Sequence, residues 1–361
     1  MSYRKIGTFV RSDQLEPGVE KLVRRLIVSA TLVGLLLPRS AAVAENDQAR
    51  CYNEIGDAAV AACTSVIASG DKSHSEMSQA HVVRGYAYFK MGNYDQAVKD
   101  FDYAIELDPT NPVPLYDRGN VESSMGLYDK AIVDYSNAIQ LRSTYASAFN
   151  NRCFAYNARA QAGDYDQAVR DCRSAIKLSP SQSNPYLGLG NALSNKGENE
   201  EALKQYDEAI ARDANSAKAF LGRCHTNITI KKYDLAIEDC GRAIQIDPSD
   251  PIGWNNSCWA LAIVGQLDSA LKYCNRAVEL QREPFSLDSK AFTLLKMGSY
   301  DEAIANYNQA LLLQPRRASS LYGRGYAKLK KGDTAAANED MVAATREVPS
   351  IAAQFRENGV Q

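Results

Sequence analysis

The sequence predicts an all-α fold built as a stack of antiparallel helix pairs. A short motif, Gly-x-Tyr-Asp-x-Ala, returns after 34 residues, as at Gly92 to Ala97 and Gly126 to Ala131. Each period has room for a first helix of about 13 residues, a turn at the motif and a second helix. Proline closes several periods, as at Pro109 and Pro180, and it cannot continue a helix.

Eight such units follow one another along the chain. A three-residue insertion near Arg159 and a one-residue deletion near Glu283 interrupt the period. Small residues such as Gly85 are expected to let the two helices approach, with Phe101 filling the space beside them. The aspartate of the motif, Asp95 in the first unit, is expected to cap the second helix. The units begin near Ser78, Pro112, Ala146, Ser183, Ala217, Pro251, Pro284 and Ala318.

These units resemble the tetratricopeptide repeat, with Gly or Ala at position 8, Ala at 20, an aromatic residue at 24, Ala at 27 and Pro at 32. Within that family the chain is similar to exported envelope proteins of Gram-negative bacteria. The resemblance implies a right-handed superhelical solenoid of antiparallel helix pairs over residues 78–349, with a concave wall built from the first helices. Residues 45–77 are interpreted as a degenerate half-repeat with a linker, and residues 350–361 as a capping segment. Three units depart from the pattern where proline is expected, with Ser143, Ala214 and Arg282.

The first 44 residues have the pattern of a secretory signal peptide. Basic residues ending at Arg25 precede an apolar run from Leu26 to Leu37, and Ala42-Val43-Ala44 is typical of a cleavage site. The run is short for a membrane-spanning helix, so an uncleaved membrane anchor is the less favoured alternative. We therefore expect a mature chain from Glu45, in the periplasm or outside the cell, without stable membrane insertion.

The cysteines occur in pairs. Three units have Cys at both position 8 and position 24, and no unit has Cys at one of these positions alone. The two positions lie opposite each other in an antiparallel hairpin, within disulfide reach, and disulfides persist in oxidising compartments. Zinc would need four ligands at one point, which pairs in separate repeats do not provide, and buried free thiols are the other alternative. The predicted disulfides are Cys51–Cys63, Cys153–Cys172, Cys224–Cys240 and Cys258–Cys274.

A second pairing joins positions 7 and 23. Five units have Arg at position 7 and Asp at position 23, and the other three units have neither. Because the pairs are spread evenly along the array, we interpret them as structural ion pairs and not as a convergent catalytic set. They are Arg84–Asp100, Arg118–Asp134, Arg152–Asp171, Arg223–Asp239 and Arg324–Asp340.

The resemblance implies that positions 5 and 9 face the concave wall, where aromatic residues alternate with asparagines. Asparagine offers a donor and an acceptor to a peptide backbone, and aromatic rings offer broad apolar contact. Position 5 is never Lys or Arg, so the basic clamp that some family members use for acidic C-termini is not expected. Packing between neighbouring first helices is the alternative interpretation of the aromatic column. The predicted wall consists of Tyr86, Tyr116, Asn120, Asn150, Phe154, Asn191, His225, Asn255, Trp259, Phe292, Tyr322 and Tyr326.

The predicted function is the binding of other proteins or extended peptides, as a scaffold without catalysis. The chain has three histidines and no P-loop, G-x-S-x-G or H-E-x-x-H motif, so no catalytic residue, cofactor or metal site is predicted. A formal net charge of −2 disfavours nucleic acid as a partner. A chaperone-like holder of unfolded exported segments and a peptidoglycan- or carbohydrate-associated accessory protein are the alternatives.

Overall fold

A computed structural model describes residues 39–69 and 72–360, and these ranges contain α-helices and no β-strand. The helices form antiparallel pairs joined by short turns, which confirms the predicted fold class. Most of the predicted signal peptide, including Leu26 to Leu37, lies outside the described residues. Within the described ranges, no helix combines the length and apolarity needed to cross a bilayer.

The chain divides into two compact units, the first ending at Ser181 and the second beginning at Gln182. The described helices of the first unit are α1 (Arg39–Asn53), α2 (Gly56–Ser69), α3 (His74–Lys90), α4 (Tyr94–Leu107), α5 (Pro112–Ser124), α6 (Tyr128–Leu141), α7 (Ala146–Arg159) and α8 (Asp164–Leu178). Those of the second unit are α9 (Ser183–Asn195), α10 (Asn199–Arg212), α11 (Ala217–Thr229), α12 (Tyr233–Ile246), α13 (Pro251–Ile263), α14 (Leu267–Leu280), α15 (Pro284–Lys296), α16 (Tyr300–Leu313), α17 (Ala318–Lys330), α18 (Thr334–Glu347) and α19 (Ile351–Glu357).

Glycine in a left-handed conformation turns the chain between the two helices of most repeats. Gly92, between α3 and α4, has a φ of 80°, which a residue with a Cβ rarely adopts. In the repeat that begins at Ala217, the same position is Lys231, with a φ of 62°. Proline starts α5, α13 and α15, where no intrahelical hydrogen bond is lost. The repeat boundaries therefore follow from local backbone chemistry.

The aspartate of the motif does not cap the second helix, so that prediction is wrong. Asp95 lies inside the first turn of α4, and the N-cap residue, Asn93, makes no side-chain capping hydrogen bond. Asp129 and Asp234 occupy the first turns of α6 and α12 in the same way. A carboxylate in the first turn stabilises a helix because it lies near the positive end of the helix dipole.

Where no disulfide joins the two helices, the hairpin closes on a small residue of the first helix and a large residue of the second. A Cβ on Gly119 would lie 2.8 Å from the ring of Tyr135, and a Cβ on Gly190 would lie 2.7 Å from the ring of Tyr206. Both tyrosines are buried. A side chain at either glycine would displace the ring, so positions 8 and 24 act as one packing unit.

Disulfides replace this glycine–aromatic contact in three repeats. The structure contains the four predicted pairs, with Cα–Cα distances of 4.6 Å for Cys51–Cys63, 5.5 Å for Cys153–Cys172, 5.5 Å for Cys224–Cys240 and 5.1 Å for Cys258–Cys274. All eight cysteines are paired, so the free-thiol interpretation does not hold. The first of these disulfides joins α1 to α2, which form a hairpin where the degenerate half-repeat was predicted.

Five arginine–aspartate pairs close the hairpins beside these contacts. Nε and Nη2 of Arg118 each donate to a carboxylate oxygen of Asp134 at 2.7 Å. The other four predicted pairs make the same two-bond contact. Burial favours protonation of Asp100, but hydrogen bonds from Arg84 and His81 hold its pKa below the ordinary value. The aspartates are all buried, and a buried carboxylate is stable only with such partners.

The same arginines also bond to the preceding hairpin, an interaction that was not predicted. Nη1 of Arg118 lies 2.5 Å from Asp102, and Nη1 of Arg152 lies 2.8 Å from Ser136. The acceptor occupies position 25 of the preceding repeat in both cases. Each arginine therefore closes its own hairpin and ties it to the one before.

Among the described helices of each unit, the first helices of successive repeats pack side by side, and no comparable contact joins successive second helices. In the first unit α3 contacts α5, and α5 contacts α7. In the second unit the series α9, α11, α13, α15 and α17 is continuous. In a curved stack of hairpins, the helices on the concave side lie closer together than the helices on the convex side. The first helices therefore form the inner face of each unit.

Candidate binding surface

An amide cluster, consisting of Tyr116, Asn120, Asn150 and Asn151, occupies the inner face of the first unit. Asn120 Oδ1 accepts hydrogen bonds from Asn151 Nδ2 at 2.8 Å and from Tyr135 Oη at 2.9 Å. Asn151 Nδ2 also donates to Tyr116 Oη at 3.0 Å, and Asn150 Nδ2 donates to Asn151 Oδ1 at 3.0 Å. The cluster joins α5 to α7 and so spans two successive repeats.

One acceptor of the amide cluster has no partner. Asn150 is 8% exposed, and its Oδ1 makes no hydrogen bond. A buried amide oxygen without a donor costs free energy, because it has lost water and gained nothing in return. A bound N–H group or water that reached this oxygen would recover that free energy.

Two carboxyl groups of α5 have strongly raised pKa values. Burial raises the pKa of Asp117 to about 7, although a hydrogen bond with Asn120 acts in the opposite direction. Burial, assisted by the charge of Asp134, raises the pKa of Glu122 to about 7. Glu122 is 8% exposed, and its Oε2 makes no hydrogen bond. Both groups therefore change their charge near neutral pH.

An aromatic face, consisting of Trp259, Phe292, Tyr322 and Tyr326, takes the corresponding place in the second unit. The rings of Trp259 and Phe292, at position 9 of successive repeats, have centroids 4.7 Å apart. Tyr322 and Tyr326 of α17 pack against the same core. Trp259 and Phe292 therefore pack against each other across neighbouring first helices, as the alternative interpretation expects.

The C-terminal segment, residues 351–360, lies on this aromatic face. The ring of Phe355 is 5.8 Å from that of Phe292, edge to face, and 4.8 Å from that of Tyr322. Phe355 is 5% exposed. The segment contacts α17 and α18, as an end cap does, and it also reaches back to α15.

The twelve predicted wall residues are not equivalent in the structure. Four are buried, namely Asn150, Phe154, Asn255 and Phe292. The other eight are half-buried: Tyr86, Tyr116, Asn120, Asn191, His225, Trp259, Tyr322 and Tyr326. The structure brings seven of the twelve into the amide cluster and the aromatic face. The remaining five, Tyr86, Phe154, Asn191, His225 and Asn255, belong to neither.

Three residues of these surfaces were not predicted. Asn151 occupies position 6, which the resemblance does not assign to the wall. Phe355 could have been found from the sequence, because Ile351 and Phe355 have the i, i+4 spacing of an apolar helix face. Lys296 ends α15 and donates a hydrogen bond to the carbonyl of Asn358 in the C-terminal segment, and no sequence pattern distinguishes it from other lysines in last turns.

The described residues do not contain a group of three or more His, Cys, Asp or Glu side chains that could hold a metal ion. His225, the histidine of the predicted wall, is half-buried, and burial lowers its pKa.

Repeat models of one family match both units. The model described as "Tetratricopeptide repeat" matches residues 78–111, and a second of that description matches residues 159–224. A third, described as "TPR repeat", matches residues 119–156 and 293–332. The comparison with curated proteins gives no match.

Solved structures match this chain at low sequence identity. The Cut9–Hcn1 hetero-tetramer of APC/C has a TM-score of 0.60 and 15% identity, over 89% of this chain and 63% of that one. The pilF protein of Pseudomonas aeruginosa has a TM-score of 0.51 and 20% identity, over 60% of this chain and 98% of that one. YrrB, a TPR protein with an unusual peptide-binding site, has a TM-score of 0.42 and 24% identity, over 52% and 99% of the two chains. The repeat models and the helix-pair fold agree, and the chain belongs to the tetratricopeptide repeat family.

Proposed function

We propose that this protein is a non-enzymatic scaffold that binds partner proteins through extended segments on the inner face of its first unit. The observation that supports the proposal is the amide cluster of Tyr116, Asn120, Asn150 and Asn151. A peptide backbone offers alternating donors and acceptors, and an asparagine side chain matches both.

The geometry of the cluster supports recognition of backbone in preference to particular side chains. Asn120 and Asn151 are half-buried, so a ligand can reach them from the inner face. Their hydrogen bonds to each other and to Tyr116 hold the amide groups in place before binding, which lowers the entropy lost on association. The unpaired Asn150 Oδ1 supplies one further acceptor.

We also propose that the protein works in an oxidising compartment, the periplasm or the outside of the cell. Four disulfides support this location, because thiols are kept reduced in the cytosol. Peptide mapping of unreduced protein from its native source tests the proposal. Free thiols at Cys153 and Cys172 would contradict it.

Site-specific photo-crosslinking tests the binding surface. A photoreactive amino acid replaces Asn151 in one full-length variant and Asn137 in a matched control, since Asn137 lies exposed on α6, a second helix. We expect partner adducts from position 151 and few from position 137. Equal yields from the two positions would show that partners do not use the inner face.

The identity of the adducts separates the scaffold from the chaperone-like alternative. A scaffold gives a few adducts in stoichiometric amounts. A holder of unfolded segments gives many weak adducts, and these would increase when export produces unfolded chains.

A further inference from the structure

We propose that the C-terminal segment is an exchangeable internal ligand of the aromatic face. The partner that fits this face is then a short amphipathic helix with one aromatic anchor. This inference rests on the proposed binding function, and it names a second surface, with a different ligand chemistry from that of the amide cluster.

The apolar contact is the first support. Ile351, Phe355 and Val360 are 3%, 5% and 6% exposed, whereas Gln354, Arg356 and Glu357 are exposed. The segment therefore presents one apolar edge to the unit and a polar edge to solvent. Phe355 inserts between rings that belong to two different repeats, Phe292 of α15 and Tyr322 of α17.

Lys296 supplies the polar contact at the end of the docked helix. Its Nζ donates to the carbonyl of Asn358 at 3.1 Å, and to those of Ala262 and Ile263 at 2.8 and 3.3 Å. The last two carbonyls belong to the C-terminus of α13, so the ammonium group bridges two negative helix ends. The three acceptors use all three of its donors, which orients the docked helix with its C-terminus toward Lys296.

The reach of the segment distinguishes it from a simple end cap. A cap of the last hairpin needs only α17 and α18. This segment also contacts Phe292 and Lys296 of α15, and Glu357 pairs with Lys231 at 3.1 Å, in the turn before α12. The segment therefore contacts residues that belong to several repeats.

Several features favour exchange. A seven-residue helix has little stability of its own, so α19 is ordered by docking. Three buried side chains hold it, and the Lys231–Glu357 pair is 62% exposed at both side chains, where ion pairs contribute little. The exposed Pro349 and Ser350 separate the segment from α18. Such a unit opens without unfolding the repeats beneath it.

The docked segment also specifies the partner. Its recognised features are an apolar residue, an aromatic residue four positions later, an acidic residue two further on, and a helix end at glycine followed by an apolar residue. Ile351, Phe355, Glu357, Gly359 and Val360 carry these features, and Gly359 adopts a left-handed φ of 84°. A partner helix with this pattern would compete for the same rings and for Lys296.

A labelled peptide with the sequence of residues 349–360 provides the test. Fluorescence anisotropy measures its binding to the full-length wild-type chain, to Phe355→Ser and to a matched control, Val342→Ser. Val342 is 51% exposed on α18, whereas Phe355 is 5% exposed. We expect a Kd for Phe355→Ser at least about tenfold below that of the wild type and the control, because the resident segment no longer competes. A peptide whose phenylalanine is replaced by alanine should not bind.

Absence of peptide binding to a folded Phe355→Ser chain would overturn the proposal and leave the segment as a permanent cap. If that variant does not fold, hydrogen exchange of the wild type decides. The proposal is supported if amides 351–360 exchange through a local opening that leaves α15 and α17 protected. It is overturned if these amides exchange only when α15 and α17 also open. A negative result in the peptide-binding test does not change the crosslinking expected at position 151. The two experiments therefore test the two proposals separately.

Discussion

The two units use the same hairpin and differ in what covers their inner faces. In both, a glycine–aromatic contact or a disulfide joins positions 8 and 24 of several repeats, and arginine–aspartate pairs close hairpins beside these contacts. The inner face of the first unit carries the amide cluster, whose Asn120 and Asn151 are half-buried. That of the second unit carries the aromatic face, with Phe292 only 2% exposed beneath the C-terminal segment.

This difference teaches that folding and recognition use separate positions of the repeat. The residues that close a hairpin face the other helix of the same pair. The same residue types can therefore close a hairpin at any place along the chain. The inner positions face neighbouring repeats and solvent. They can therefore become polar and open in one unit, or aromatic and covered in the other, without loss of the hairpin.

The largest expected effect is a loss of stability on substitution at position 9, and this loss should differ between the two units. Phe292→Ala should lower the free energy of unfolding by about 3–5 kcal/mol, because a buried ring leaves a cavity and releases Phe355. Tyr86→Ala should cost less than half of that, since Tyr86 is half-buried. Both tryptophans, Trp254 and Trp259, lie in the second unit, so their fluorescence in denaturant follows that unit and circular dichroism follows the whole chain. Equal losses in the two variants would remove the energetic contrast between the inner faces.

In contrast, removing a disulfide should cost the same stability in the two units. Replacing Cys153 and Cys172 by alanine should cost about 3 kcal/mol, and so should replacing Cys224 and Cys240, because chain entropy depends weakly on loop length. The loops span 19 and 16 residues. Denaturant titrations of the two double variants measure the losses. A clear inequality would mean that the hairpins themselves differ between the units.

A loss of stability as the pH rises from 4 to 8 is expected from the first unit, at Glu122. Glu122 has a pKa near 7 in the folded chain and an ordinary pKa near 4.5 when unfolded. Between pH 4.5 and pH 7 the folded state binds more protons than the unfolded state. The stability that comes from this difference in proton binding is therefore fully present below pH 4.5 and is lost as the pH rises through 7. Glu122→Gln should therefore raise stability at pH 8 by about 1–3 kcal/mol relative to wild type, and leave it nearly unchanged at pH 4.

Thermal unfolding at the two pH values measures this effect. The matched control is Glu106→Gln, in which the same change is made at an exposed position of α4. A similar gain at pH 8 in the control would mean that net charge, and not the burial of Glu122, sets the pH dependence.

The smallest effect concerns the turn between the two helices. Lys231→Gly should stabilise the second unit by up to about 1 kcal/mol, because the left-handed φ of 62° strains a residue with a Cβ. The lost ion pair to Glu357 offsets little of this gain, since both groups are 62% exposed. The reciprocal change in the first unit, Gly92→Lys, should destabilise by a similar amount. Denaturation midpoints of the two variants should move in opposite directions, and a loss of stability in both would show that the ion pair outweighs the strain.

The hairpin was predictable from the sequence because its determinants recur. Cysteine at positions 8 and 24, and arginine with aspartate at 7 and 23, appear together or not at all, and co-occurrence over eight copies locates contacts within one repeat. The cap assigned to Asp95 was wrong because the motif locates the turn only to within a residue or two, and capping depends on the backbone of a single residue.

What the sequence determined by itself is therefore the repeat: its period, its two helices, its four disulfides and its five ion pairs. Only the tertiary structure decided which inner residues meet. Asn151 joins the amide cluster through contacts with the preceding repeat, and Phe355 reaches a ring of α15, 63 residues earlier in the chain. Contacts within a repeat are set by a local and recurring pattern. Contacts between repeats depend on how hairpins stack and on where a short terminal helix finds apolar surface, and neither leaves a periodic mark in the sequence.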